Sequence, residues 1–198
     1  MKTWKKLTML AVTTLVIVGL APAATAQAAP DCPDRPMTRA FSWALDLNQY
    51  FQMPGGGFED GAGQWDLDGR AKVTAGVNET VMPTSSNDSH ALNLPSGSSA
   101  AAAPLCVDGT ATFMRFFARS RGLAGIAIVV VTAKDDDGHT QTLLSPALPL
   151  TSAWSAPLLL FRLPLLGDGY TSMTVEIHSI GVGAIDVDDI YIDPLRQR

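Results

Sequence analysis

The chain has little of what catalysis draws on. Glutamate occurs at Glu59, Glu79 and Glu176, and histidine at His90, His139 and His178, each in a separate segment. No Gly-x-Ser-x-Gly elbow, His-Glu-x-x-His pair or Walker loop is present, so no ready nucleophile, zinc-hydrolase or nucleotide site can be read off. Two acids facing each other across a cleft would still serve for glycoside hydrolysis. The scarcity of glutamate speaks against that, and we read the chain as non-catalytic. Two cysteines, Cys32 and Cys106, are too few for a structural zinc site. Aromatics make up 7% and form no cluster along the chain, which argues against strong binding to crystalline polysaccharide. After residue 28 no convincing 3.6-residue apolar stripe appears, so a helical bundle is excluded.

The first 28 residues read as an address. Lys2, Lys5 and Lys6 form a basic start, Leu7 to Leu20 is apolar, and Ala24-Thr25-Ala26 and Ala26-Gln27-Ala28 offer small-x-small cleavage patterns. This is a signal peptide over 1–28, and it predicts a secreted protein. The apolar stretch is shorter than the ~20 residues a membrane helix needs. No second one follows, so no span is expected after cleavage. Removing the three lysines leaves 11 Lys+Arg against 19 Asp+Glu, a formal charge of −8. Such a chain is repelled by nucleic acid and by anionic lipid. An oxidising compartment predicts a Cys32–Cys106 disulfide. It would close a long loop, worth roughly 4 kcal/mol in the chain-entropy model, and would tie down an N-terminal arm over 29–54.

What is present is strand. Thr110 to Arg119 alternates, with Thr112, Met114, Phe116 and Ala118 on one face and Phe113, Arg115, Phe117 and Arg119 on the other. Gly125 to Ala133 is too β-branched for a helix. Asp135-Asp136-Asp137-Gly138 then turns the chain into Thr140 to Leu144, a hairpin. Its contiguous acids lack the alternate spacing of an EF-hand loop. Ala71 to Val77, Leu158 to Leu163, Ser172 to Ile180 and Ala184 to Ile192 complete the strands. Ser42 to Tyr50 reads as a helical turn, and the small-residue stretch Ser96 to Pro104 as a loop or an edge. In the last strand Ile185 and Val187 share one parity and Ile190 and Ile192 the other. The core face therefore switches at Asp188-Asp189, which predicts a β-bulge. These features make one all-β sandwich domain over 55–195.

Two acidic motifs bracket that sandwich: Gly55-Gly56-Gly57-Phe58-Glu59-Asp60-Gly61, with Trp65 behind it, and Ile185-Asp186-Val187-Asp188-Asp189-Ile190-Tyr191-Ile192. Together they resemble the galactose-binding-like jelly rolls used by many carbohydrate-binding modules. The chain is also similar to small secreted bacterial proteins of uncharacterised function, over Trp43 to Val77, Leu92 to Ala118 and the final strand. The resemblance implies a jelly-roll sandwich and a structural Ca²⁺ held by Glu59, Asp188 and nearby carbonyls. Calcium needs six to eight hard oxygens, and the alternative is that these acids cap turns or pair with Arg70, Arg115 or Lys72.

Sugar binding needs an exposed aromatic plate with polar neighbours, against which a pyranose lays its C–H face. Trp43, Tyr50, Trp65, Trp154 and Tyr170 are the available rings. Trp65 is expected in the core and Trp43 at the sandwich end. That leaves Trp154, just before a strand, and Tyr170, on an expected exposed loop tip, as the ligand-binding candidates. The leading expectation is a secreted, monomeric, non-catalytic binding module for extracellular or cell-envelope carbohydrate. Its rival is a structural or protein-interaction module of the cell surface with no small-molecule site.

Overall fold

The computed structural model describes residues 32–77, 88–107, 111–159 and 170–194. The segment read as a signal peptide, and the part of the Leu158–Leu163 strand beyond Leu159, lie outside them. Thirteen strands follow in chain order: β1 Phe51–Gln52, β2 Trp65–Asp68, β3 Lys72–Ala75, β4 His90–Leu94, β5 Ser99–Ala102, β6 Leu105–Cys106 and β7 Ala111–Arg121. Then come β8 Gly125–Asp135, β9 Thr140–Leu144, β10 Leu148–Leu150, β11 Leu158–Leu159, β12 Tyr170–Ser179 and β13 Ala184–Pro194. They form two antiparallel sheets. The six-stranded sheet runs β11-β7-β13-β4-β3, with β1 also on β13; the seven-stranded one runs β10-β8-β12-β5-β2, with β6 on β12 and β9 on β8. The architecture is an all-β sandwich, as the alternating segments predicted, and of the jelly-roll type that the resemblance implied.

The inner faces meet over one apolar core. Leu92, Leu94, Met114, Phe116, Ala118, Ile185, Val187, Ile190 and Ile192 come from the six-stranded sheet, and Val129, Val131, Met173, Val175 and Ile177 from the seven-stranded one. Fully burying each such side chain is worth about 1.5–3 kcal/mol. The parity switch in β13 is real. Its pairing with β7 shifts register between Asp188 and Tyr191, and Asp189 takes φ 46°. The bulge sits where β13 exchanges one neighbour for another, pairing with β4 through Ile185–Val187 and with β1 through Tyr191–Ile192.

Three local expectations are corrected. Ser99–Ala102 is an interior strand between β12 and β2 rather than a loop or edge. Its small side chains suit that place, since buried Ala102 lies directly opposite buried Trp65. Ser42 to Tyr50 holds only a 3₁₀ turn, Ser42–Ala44, stopped by Leu45 at φ 59°; Tyr50 then exchanges two backbone hydrogen bonds with Thr38, at 2.7 and 2.8 Å. Tyr170 opens β12 and is half-buried against the main core, its hydroxyl donating to Gln141 at 3.4 Å. It is not on an exposed loop tip.

The disulfide joins Cys32 to Cys106, 74 residues apart with Cα atoms at 5.7 Å. Arg35 reinforces this closure by donating to the Cys106 carbonyl at 2.8 Å. The turn after β8 forms as expected, Asp135 accepting the His139 amide at 2.7 Å.

Candidate functional site

β7 alternates large apolar and cationic residues on the face turned away from the main core, and β13 answers with acids. Pairing register then lines these residues up across four strands. Arg119 lies opposite Asp186, Asp186 opposite Asn93, and Asn93 opposite Lys72. Asp186 is wholly buried, and an unpaired carboxylate could not remain there ionised. It is satisfied on both oxygens. Oδ1 accepts from Asn93 Nδ2 at 2.9 Å, and Oδ2 accepts from Arg119 Nε at 3.0 Å and Arg121 Nε at 2.8 Å. The two arginine side chains are 29% and 40% exposed, so a buried anion anchors two surface cations.

Aromatic rings flank this polar row. The segment after β10 runs along β7, with Ser155 and Ala118 exchanging backbone hydrogen bonds and Ser120 donating to Thr151. It delivers Trp154, half-buried, under the Arg119 guanidinium at 4.7 Å. On the neighbouring rows the N-terminal arm lies on the same face and builds a second, smaller core of Ala40, Phe41, Tyr50, Phe117 and Tyr191. Trp43 stacks on Phe117 with centroids 6.3 Å apart, and remains 49% exposed. Asp46 holds the arm in place, accepting from the Tyr50 hydroxyl at 2.7 Å and facing Arg115 at 3.3 Å. Burial, then the hydrogen bond to and charge of Asp46, push the Tyr50 phenol far up, so it stays protonated.

The two candidate rings are not brought together. Trp154 belongs to the outer face of the six-stranded sheet and Tyr170 to the seven-stranded sheet. The residues that sequence reasoning did not single out as a site are Arg119, Arg121, Asn93 and Asp186. The alternation of Phe and Arg along β7 carried part of that signal. Their convergence depends on strand pairing, which no local pattern reveals.

The two acidic motifs meet, through backbone and through the side chains of Gln52 and Asp189. The Ile190 amide donates to the Gly56 carbonyl at 3.1 Å, and Gln52 Nε2 donates to Asp189 Oδ1 at 2.6 Å. Gly56 leaves no room for a side chain, since a Cβ there would come within 2.9 Å of the Met53 carbonyl oxygen and 3.1 Å of the Ile190 carbonyl oxygen. Glu59 turns elsewhere. Its Oε1 accepts the amides of Ser89 and His90, at 2.9 and 2.7 Å, and its Oε2 lies 3.2 Å from the Ser89 hydroxyl and 3.0 Å from His90 Nδ1. Burial opposes its charge, but the Ser89 amide, the His90 ring and the His90 amide outweigh burial and hold its pKa below the ordinary value. Asp188 is fully buried and accepts the Asp189 amide at 2.8 Å. A calcium ion shared by Glu59 and Asp188 would have to compete with Ser89 and His90 for the Glu59 carboxylate. Among the described residues no group of three His, Cys, Asp or Glu converges on a metal.

No protein-family model matches the chain. No curated protein matches it either. Solved structures do. The CBM22-1 xylan-binding domain of Paenibacillus barcinonensis Xyn10C superposes with a TM-score of 0.51 at 15% identity, over 72% of this chain and 94% of that one. A second xylan-binding domain from CBM 22 gives 0.48 at 16% identity, over 75% and 96%. The module TmCBM61, solved with β-1,4-galactotriose, gives 0.47 at 17% identity, over 72% and 97%. The chain has the jelly-roll sandwich fold of the carbohydrate-binding modules.

Proposed function

We propose that the protein is a secreted, non-catalytic carbohydrate-binding module whose site is the outer face of the six-stranded sheet. The observation that carries this reading is the pair of partly exposed guanidinium groups, Arg119 and Arg121, held on buried Asp186 with Asn93, on the face that also carries Trp154 and the half-exposed Trp43. An aromatic plate beside fixed hydrogen-bonding groups is what a pyranose needs, its C–H face on the ring and its hydroxyls on the polar groups. The groups are fixed in advance, because Asp186 is buried and saturated by its neighbours. Less ordering is then left to the binding step. The fold it shares with a xylan-binding domain supports the same reading, and the disulfide suits an extracellular domain.

The test is binding of the oxidised protein to a panel of neutral and acidic polysaccharides. Saturable binding that falls at least tenfold in Trp154→Ala, and is kept in His178→Ala on the opposite outer face, is the expected result. No binding across the panel, or equal losses in both variants, would remove the reading.

A further inference from the structure

Resting on that reading, we propose that the glycan recognised is acidic, a polyuronate whose carboxylates are taken by Arg119 and Arg121. Asp186 binds both guanidinium groups through Nε alone, on a single oxygen. The Nη edge of each guanidinium therefore makes no hydrogen bond or ion pair among the described residues. That leaves two partly exposed donor edges, on side chains two residues apart along one strand. Paired guanidinium donors match a planar carboxylate bidentately.

The charge on this face is cationic where solvent reaches it. Asp186 and Asp188 are buried and the partly exposed Asp46 is paired with Arg115, while Arg119, Arg121 and Lys72 retain exposure. Without residues 1–28 the chain carries a formal charge of −8, which repels polyanions overall. This face, with its two adjacent arginines, attracts a polyanion. Trp154 lies under the Arg119 guanidinium and holds it in place, so one of the two cations is oriented before the carboxylate arrives.

The experiment compares polygalacturonate oligomers with the same oligomers after chemical reduction of their carboxyl groups, and with dextran sulfate. The wild-type protein is measured beside Arg121→Lys, which leaves Arg119 on Asp186 and keeps the positive charge. A thermal melt is run on both to confirm the fold. Binding of polygalacturonate that weakens at least tenfold on carboxyl reduction, and about tenfold in Arg121→Lys with an unchanged melt, supports the proposal. Equal binding of the reduced, neutral oligomers overturns it while leaving the carbohydrate site intact. Full binding by Arg121→Lys, or equally tight binding of dextran sulfate, overturns it in favour of charge alone. Failure to bind any glycan, neutral or acidic, overturns the site and this inference together.

Discussion

The two outer faces of the sandwich are built from the same alternation and come out differently. On the seven-stranded sheet, β8 and β12 turn outward Ile128, Val130, Thr132, Thr174, Glu176 and His178. Their side chains make only short local pairs. Thr132 lies beside Thr142 at 3.3 Å, and Glu176 and His178 pair within one strand at 3.2 Å. Each such contact contributes a few tenths of a kcal/mol, and none anchors anything beyond the sheet. On the six-stranded sheet the outward positions hold Arg115, Phe117, Arg119, Asp186 and Tyr191, which build a second core and a buried ion cluster. A strand's outer face normally tolerates substitution. Here it carries a structured layer, and a buried charge whose retention is hard to explain by stability alone.

The disulfide pins the start of the arm that covers part of this layer. Reducing it should lower stability by roughly 4 kcal/mol, seen as a lower denaturation midpoint under reducing conditions; an unchanged midpoint would mean that the arm holds without its bridge. The contrast between faces can be read next from two outward substitutions. Phe117→Ala should cost about 3 kcal/mol, because it empties the second core. Val130→Ala on the opposite outer face should cost under about 1 kcal/mol. Similar losses, measured by denaturant unfolding, would erase the distinction.

The covered face also carries a pH signature. Burial, and next to it the charge of Asp46, push the Asp193 carboxyl up to about 6, and its Oδ2 is buried without a hydrogen-bond partner. Between about pH 4 and 6 the folded chain keeps a proton that the unfolded chain has released. Stability therefore falls as pH rises through that window, and the penalty is complete above it. Asp193→Asn should raise the melting temperature at pH 7 by a few degrees and flatten this pH dependence. A variant that melts lower at pH 7 would show that the carboxylate is favourable. The smallest effect is expected from chelation. With Glu59 committed to Ser89 and His90, EDTA should leave the melt unchanged, and a fall of several degrees would restore a structural cation.

Much of the fold was legible in the chain. β-branched runs marked β8 and β12, the Asp-Asp-Asp-Gly turn marked the hairpin into β9, and the parity of Ile185, Val187, Ile190 and Ile192 located the bulge. Ser99–Ala102 was not legible, because alanine has little strand preference of its own. Its place is set by Trp65 across from it. The site was half legible. The Phe/Arg alternation of β7 is local, but the row from Arg119 to Lys72 joins strands distant in sequence and out of chain order. The partners of Glu59, Ser89 and His90, lie thirty residues on, where no local motif reveals them.

The central claim is that sugar binds on the layered outer face and nowhere else. Its most direct measurement is the set of tryptophan indole N–H signals in a ¹⁵N-labelled sample lacking residues 1–28, titrated with a binding oligosaccharide. Trp65, buried and donating to Gly55 at 3.1 Å, is the internal control. The account predicts that Trp43 and Trp154 shift while Trp65 stays fixed. Static Trp43 and Trp154 signals under saturating ligand would contradict it.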